Sequence, residues 1–226
     1  MIRSNMTPAQ VASAARKDVG QVLAHVAEKH AELGRKCPNK GSDQLERRSG
    51  NFISRRSLNW TYVVTAYKER LTTYPLLWYP TTQGIRALQV DAKGPAAFLQ
   101  EHVMEQFLER YMRKGDLMNA MREFQLHNYD KVYFPHPYKG DPMGHVAVVD
   151  DGYLAGEYLY NEAVIYIRTF YDQKAGHRKF GQLRAALTWR AALHQTEVLH
   201  TGRKDTPHTC WGRGYVRTTD QWGLAA

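Results

Sequence analysis

The chain has 226 residues, of which 43% are hydrophobic, and it carries a net charge of +9. That length can bury a core without staples, and 5 Trp, 14 Tyr and 7 Phe argue against a disordered chain. Two distant cysteines, Cys37 and Cys210, exclude a disulfide scaffold and point to free thiols in a reducing compartment.

The first element is a helix. Thr7 is a good N-cap and Pro8 suits the first helical position. Val11, Ala15, Val19, Val22, Val26 and Leu33, with Leu23 beside them, keep helical spacing, and Gly34 is the expected stop. Residues 1–33 therefore form one long N-terminal helix. Residues 34–56, with five arginines, three glycines and a proline, read as an irregular basic connector.

Residues 57–200 form the α+β body. Ser57 is placed to cap a helix from Leu58 to about Thr73, which Pro75 ends. "LLWY" and "GIRALQV" read as short strands. Gly94-Pro95 starts a second helix, with Phe98, Leu99, His102, Val103, Phe107 and Tyr111 on one side. Asp116 caps a third, ending near Leu126, and "KVYF" is a strand. The stretch 144–172, "GHVAVVDDGYLAGEYLYNEAVIYIRTFYD", reads as a three-stranded meander. With Asp151-Gly152 as a two-residue turn, Val149 faces Leu154 and His145 faces Tyr158. A turn at Asn161-Glu162 puts Glu157 opposite Tyr166 and makes Arg168 its diagonal neighbour, able to form an ion pair. Ala147, Val149, Leu154, Tyr158, Ile165 and Ile167 then share a core face, with His145 at its rim. A last helix is expected from about Lys179 to His200, and 201–226 is an extended basic and aromatic tail. The fold class is α+β: helices packed on an antiparallel sheet.

Charge is segregated along this order. Residues 57–173 hold 11 basic and 14 acidic side chains, whereas 34–56 hold 7 and 2, and 174–217 hold 9 and 2. Arg35, Lys36, Lys40, Arg47, Arg48, Arg55 and Arg56 cluster in the connector. Lys174, Arg178, Lys179 and Arg184 line the start of the last helix, and Arg203 and Lys204 open the tail. Arginine suits bidentate phosphate contact, and no base-reading motif stands out. The expected partner is nucleic acid held through its backbone, or an acidic protein surface.

Catalytic signals are weaker. "GHVAVV" resembles the histidine strand of CHAP and NlpC/P60 cysteine peptidases over six residues. Those families need a nucleophilic cysteine opening a buried helix upstream, and Cys37 sits before a proline in the connector. "YLAGEYLYNEAV" resembles the LAGLIDADG motif of homing endonucleases, but Tyr158 and Tyr160 interrupt its small-residue packing face. His127, His136 and His145, with Asp150, are the candidates for a metal-dependent nuclease, although none has tight ligand spacing. No cofactor motif is present, and neither a membrane-length apolar run nor the apolar core of a secretory signal appears.

The leading expectation is a non-enzymatic, oligomeric or assembly-bound component of a viral particle or nucleoprotein, in the cytoplasm or within the particle. A metal-dependent nuclease and a small protein-binding inhibitor or adaptor are the alternatives.

Overall fold

The computed structural model describes residues 2, 6–32, 46–67, 70–90, 95–111, 117–129, 133–136 and 144–174. Helix α1 spans Pro8–Lys29. The Thr7 hydroxyl accepts from the Gln10 N–H, and the Gln10 side chain accepts from the Thr7 N–H, closing a capping box. Val11, Ala12, Ala15, Val22 and Val26 form its buried stripe. The helix stops before Gly34, because His30 caps it, donating its N–H to Val26 O while its ring turns inward onto Tyr62. Asp18 lies within the buried stripe, fully covered, and accepts from Trp60 Nε1 and Gln21 Nε2, each at 2.9 Å. This pairing satisfies a polar group that burial would otherwise penalise.

One nine-stranded sheet follows, in the order β1-β2-β3-β4-β5-β9-β8-β7-β6. The strands are β1 Glu46–Ile53, β2 Asn59–Tyr67, β3 Arg70–Thr81, β4 Gly84–Gln89 and β5 Ala96–Leu99. Then come α2 Glu101–Tyr111 and α3 Leu117–Asn128. The chain continues with β6 Tyr133–Pro135, β7 Gly144–Val149, β8 Gly152–Leu159 and β9 Val164–Asp172. All neighbours are antiparallel except β5 and β9, the parallel pair where two meanders meet. The fold is therefore α+β, with the 144–172 meander in place. No described helix is long and apolar enough to cross a membrane.

Three local expectations are overturned. Residues 46–53, read as irregular connector, form the edge strand β1. Residues 58–73, read as a helix, form β2 and part of β3. Trp60, Tyr62 and Val64 pack on one face of the sheet while Val63 and Thr65 are buried on the other, so the polar alternation that marks a strand is missing. Ser57 has a φ of 58° and closes a turn, Ser57 N–H to Ser54 O, instead of capping a helix. Pro75 is tolerated because β4 pairs with β3 only from Leu76 onward, leaving one side of Pro75 open. Third, Phe98 and Leu99 belong to β5, and the helix begins at Glu101. The four residues Ala96–Leu99 are all buried, as a central parallel strand requires. The expected last helix and tail lie outside the described residues.

Each face of the sheet has its own core. On one, α1 covers Trp60, Tyr62, Leu77, Leu88, Phe98 and Val164. On the other, Val103, Met104 and Phe107 of α2 and Met121 and Phe124 of α3 meet Leu76, Leu99, Leu154, Ile165, Ile167 and Phe170. The sheet curls around this second core. Tyr133 Oη of β6 lies 3.4 Å from Gln89 Oε1 of β4, although five strand steps separate them. A flat sheet would hold them about 24 Å apart at about 4.8 Å per step.

In the meander, Asp150 and Asp151 form the turn, and the β7–β8 register moves by two residues. Val149 faces Gly152 and His145 faces Gly156. A shift of two keeps every side chain on its expected face. Gly152 is needed within β8, since a Cβ there would lie 2.0 Å from Tyr171 O. The β8–β9 pairing is as expected, with Glu157 opposite Tyr166 and an Arg168–Glu157 ion pair. A bulge at Arg168 of β9, opposite the Ala155–Gly156 step, interrupts it and bends β9.

Candidate functional site

Strand β1 is a sheet edge with β2 as its one described neighbour. Alternation along an edge strand sends successive side chains to opposite faces. Arg47 and Arg48, opposite Thr65 and Val64, therefore diverge. The Arg47 guanidinium stands over the Tyr129 ring, 5.3 Å from its centroid, on the side of α3. Arg48 lies on the α1 side, near Lys29, His25 and His30. Arg55 and Arg56 occupy the turn after β1, whose backbone is tied to α1 by Arg55 N–H donating to Gln21 Oε1. All four arginines are exposed. They straddle a rim about 24 Å long, from the rise of about 3.4 Å per residue in a strand. The opposite sheet edge, β6, has three residues and ends in a proline.

Lys174 is exposed just after β9, five positions from β1 in the sheet. The fold does not extend the β1 rim to it. Arg35, Lys36, Lys40, Arg178, Lys179, Arg184, Arg203 and Lys204 lie outside the described residues.

His30 senses this basic end of α1. Its Nε2 is 3.3 Å from the Tyr62 hydroxyl. Burial, then the charges of Lys29, Arg48 and His25, hold its pKa below the ordinary 6.5. The unfolded chain thus binds a proton that the folded chain resists, so stability is lost as pH falls below the unfolded value and levels off below the folded one. His30→Gln should reduce the fall in the unfolding midpoint between about pH 7 and about pH 5. The reduction is partial, because burial also holds His136 low.

The proposed catalytic set does not converge. His145 is buried, 3% exposed, with its ring centroid 5.9 Å from that of Tyr158. It fills the core rim rather than a pocket mouth, as the strand pairing implied. His136 donates its backbone N–H to Gly144 O. His127, in the last turn of α3, places Nδ1 3.2 Å from a carboxylate oxygen of Asp151, not Asp150. Asn128 Nδ2 donates to the same carboxylate at 3.1 Å. This arrangement ties the C-terminus of α3 to the β7–β8 turn. Asp150 contributes its carbonyl oxygen to Gln173. Among the described residues, no three His, Cys, Asp or Glu side chains are grouped to hold a metal ion.

A cluster that sequence reasoning missed stands beside the parallel pair. Arg86 of β4 places Nε 3.0 Å from Glu101 Oε1, at the start of α2. Thr81 Oγ1 donates to the same oxygen at 2.7 Å. Burial would raise the Glu101 pKa, but Thr81, its own backbone N–H and Arg86 together hold it below the ordinary range. Tyr79, opposite Arg86 on β3, and Tyr166 of β9 both lie close enough to couple with it electrostatically. The sequence signal was absent because these residues come from four separate segments. No protein-family model, curated protein or solved structure matches the chain.

Proposed function

We propose that this protein is a non-enzymatic nucleic-acid-binding component of a larger assembly, in the cytoplasm or within a viral particle, that grips the phosphate backbone along the β1 rim. The observation that carries this is four exposed arginines within ten residues, Arg47, Arg48, Arg55 and Arg56, on the long sheet edge. Charge on an edge strand also serves to block edge-to-edge aggregation. One or two cations suffice for that, and the pair beyond the end of β1 does not guard the strand. Arginine forks match phosphate oxygens, and their divergence around the rim suits a backbone that wraps an edge rather than a base-reading groove.

The test is binding of single- and double-stranded oligonucleotides over a range of salt. Each phosphate contact adds about 0.9 to the salt slope on duplex and about 0.7 on a single strand. Replacing the four arginines with alanine should therefore flatten the slope by about 3. An unchanged slope with increased self-association would reduce the rim to an aggregation guard. Loss of binding to an acidic protein, with nucleic acid never bound, would favour the adaptor reading.

A further inference from the structure

The second cluster has no part in the β1 rim. Arg86 lies on the α1 side of the sheet, in one row with Tyr79 of β3, and Gln100 and Arg168 follow on the same face across β5 and β9. Beneath them stand Phe98 and Tyr166, with ring centroids 6.3 Å apart. Tyr79, Arg86, Gln100 and Tyr166 are half-buried, while the Arg168 side chain is 57% exposed. Within the row, Arg168 marks the exposed end.

Arg86 has five N–H donors. Its Nε lies 3.0 Å from Glu101 Oε1 as an ion pair but makes no aligned hydrogen bond there. The side chain is still 30% exposed, which leaves its terminal N–H groups within reach of a ligand. Tyr79 lies directly opposite Arg86 on β3 and adds a phenolic hydroxyl. Tyr166 adds a second hydroxyl on the same face. Glu101 is itself held by Thr81, so the carboxylate that pairs with Arg86 is fixed before any ligand arrives. A simple strut between β4 and α2 needs the Arg86–Glu101 ion pair alone. It does not need two phenols and a second arginine aligned beside it.

We propose that Arg86, Tyr79 and Tyr166 form an oxyanion subsite that takes a phosphoryl group, with Arg168 at its margin. Both nearby arginines are paired with carboxylates, so the subsite works by direct hydrogen bonding and exerts little long-range attraction. This chemistry fits a phosphodiester of a bound nucleic acid strand or the phosphate of a small metabolite. It does not depend on the β1 rim.

The experiment follows the Arg side-chain Nε–H resonances of the full chain by NMR during titration with inorganic phosphate. The Arg86 signal is assigned by its loss in Arg86→Lys. A saturable shift is expected, and the phosphate affinity read from backbone amide shifts, which survive the substitution, should fall roughly tenfold in Arg86→Lys, the scale of one charge-assisted hydrogen bond. Tyr79→Phe and Tyr166→Phe, which keep the Arg86–Glu101 ion pair, should each weaken binding several-fold with an unchanged unfolding midpoint. No saturable shift in the parent chain, or equal affinity in both tyrosine variants, overturns the subsite even if the β1 rim binds nucleic acid. A second arm separates the sources. An oligonucleotide lacking terminal phosphates that shifts Arg86 assigns the site to a nucleic acid strand, whereas a shift by a nucleoside monophosphate alone assigns it to a small ligand.

Discussion

Gly156→Ala is expected to destabilise the protein by about 3 kcal/mol or more, at the upper end of what overpacking does. The new Cβ would sit 2.1 Å from Tyr166 O and 2.7 Å from Ile167 Cα. Both are backbone atoms of the adjacent β9, so no side-chain rotation relieves the clash. Gly156 also lies opposite the bulge in β9, between His145 of β7 and Ile167 of β9. Relief would require β8 and β9 to separate in the middle of the sheet. Gly20→Ala is the matching control. Nothing lies within 4 Å of a Cβ at that exposed position of α1. It should stabilise the helix by about 0.5–1 kcal/mol. Urea unfolding of both variants decides the matter. A Gly156→Ala protein as stable as the parent would mean that β8 and β9 do not approach as described.

Phe107→Ala carries the second large effect, about 3–5 kcal/mol. Phe107 is the hub of an aromatic triad in the concave core. Its ring centroid is 4.9 Å from that of Phe124 and 6.1 Å from that of Phe170, both edge-on. These rings join α2, α3 and β9, so a cavity there loosens three elements at once. Edge-to-face pairs add about 0.5–1.5 kcal/mol each beyond the area they bury. The thermal midpoint should drop by about 10 °C for a chain of this size. Phe124→Leu, which keeps most of the volume, should show a smaller drop. A Phe107→Ala loss below about 1 kcal/mol, far under the usual range for such a truncation, would show that α2 does not seal the concave face.

The two kinds of prediction rest on different grounds. The stability effects follow from contacts between neighbouring strands and helices. The binding effects follow from where charge is left uncovered. Arg47 and Arg48 show how the second kind depends on the first. In an irregular connector they would form one flexible patch with Arg55 and Arg56. On a strand they diverge to two faces, and Arg47 spends part of its surface on Tyr129. Binding by the rim is accordingly expected to be weaker per arginine than a preformed pocket would give.

Local signals in the chain determined the start of α1, the existence of the 144–172 meander, the Glu157–Arg168 pair and the α+β class. Thr7-Pro8, the Asp-Asp-Gly turn and the alternation of Ala147, Val149 and Leu154 act between residues close in sequence, so they can be read without neighbours. Tertiary structure alone decided the rest. Residues 58–73 became strand because both faces of β2 are covered, which erases the pattern that distinguishes strand from helix. The β7–β8 register moved by two because the chain turns at Asp150-Asp151, which places Gly152 inside β8 where β9 leaves no room for a Cβ, a contact absent from the isolated hairpin. The Arg86–Glu101–Thr81 cluster depends on the chain leaving β5 for α2 beside β4. Proximity of that kind belongs to topology, and no spacing along the sequence encodes it.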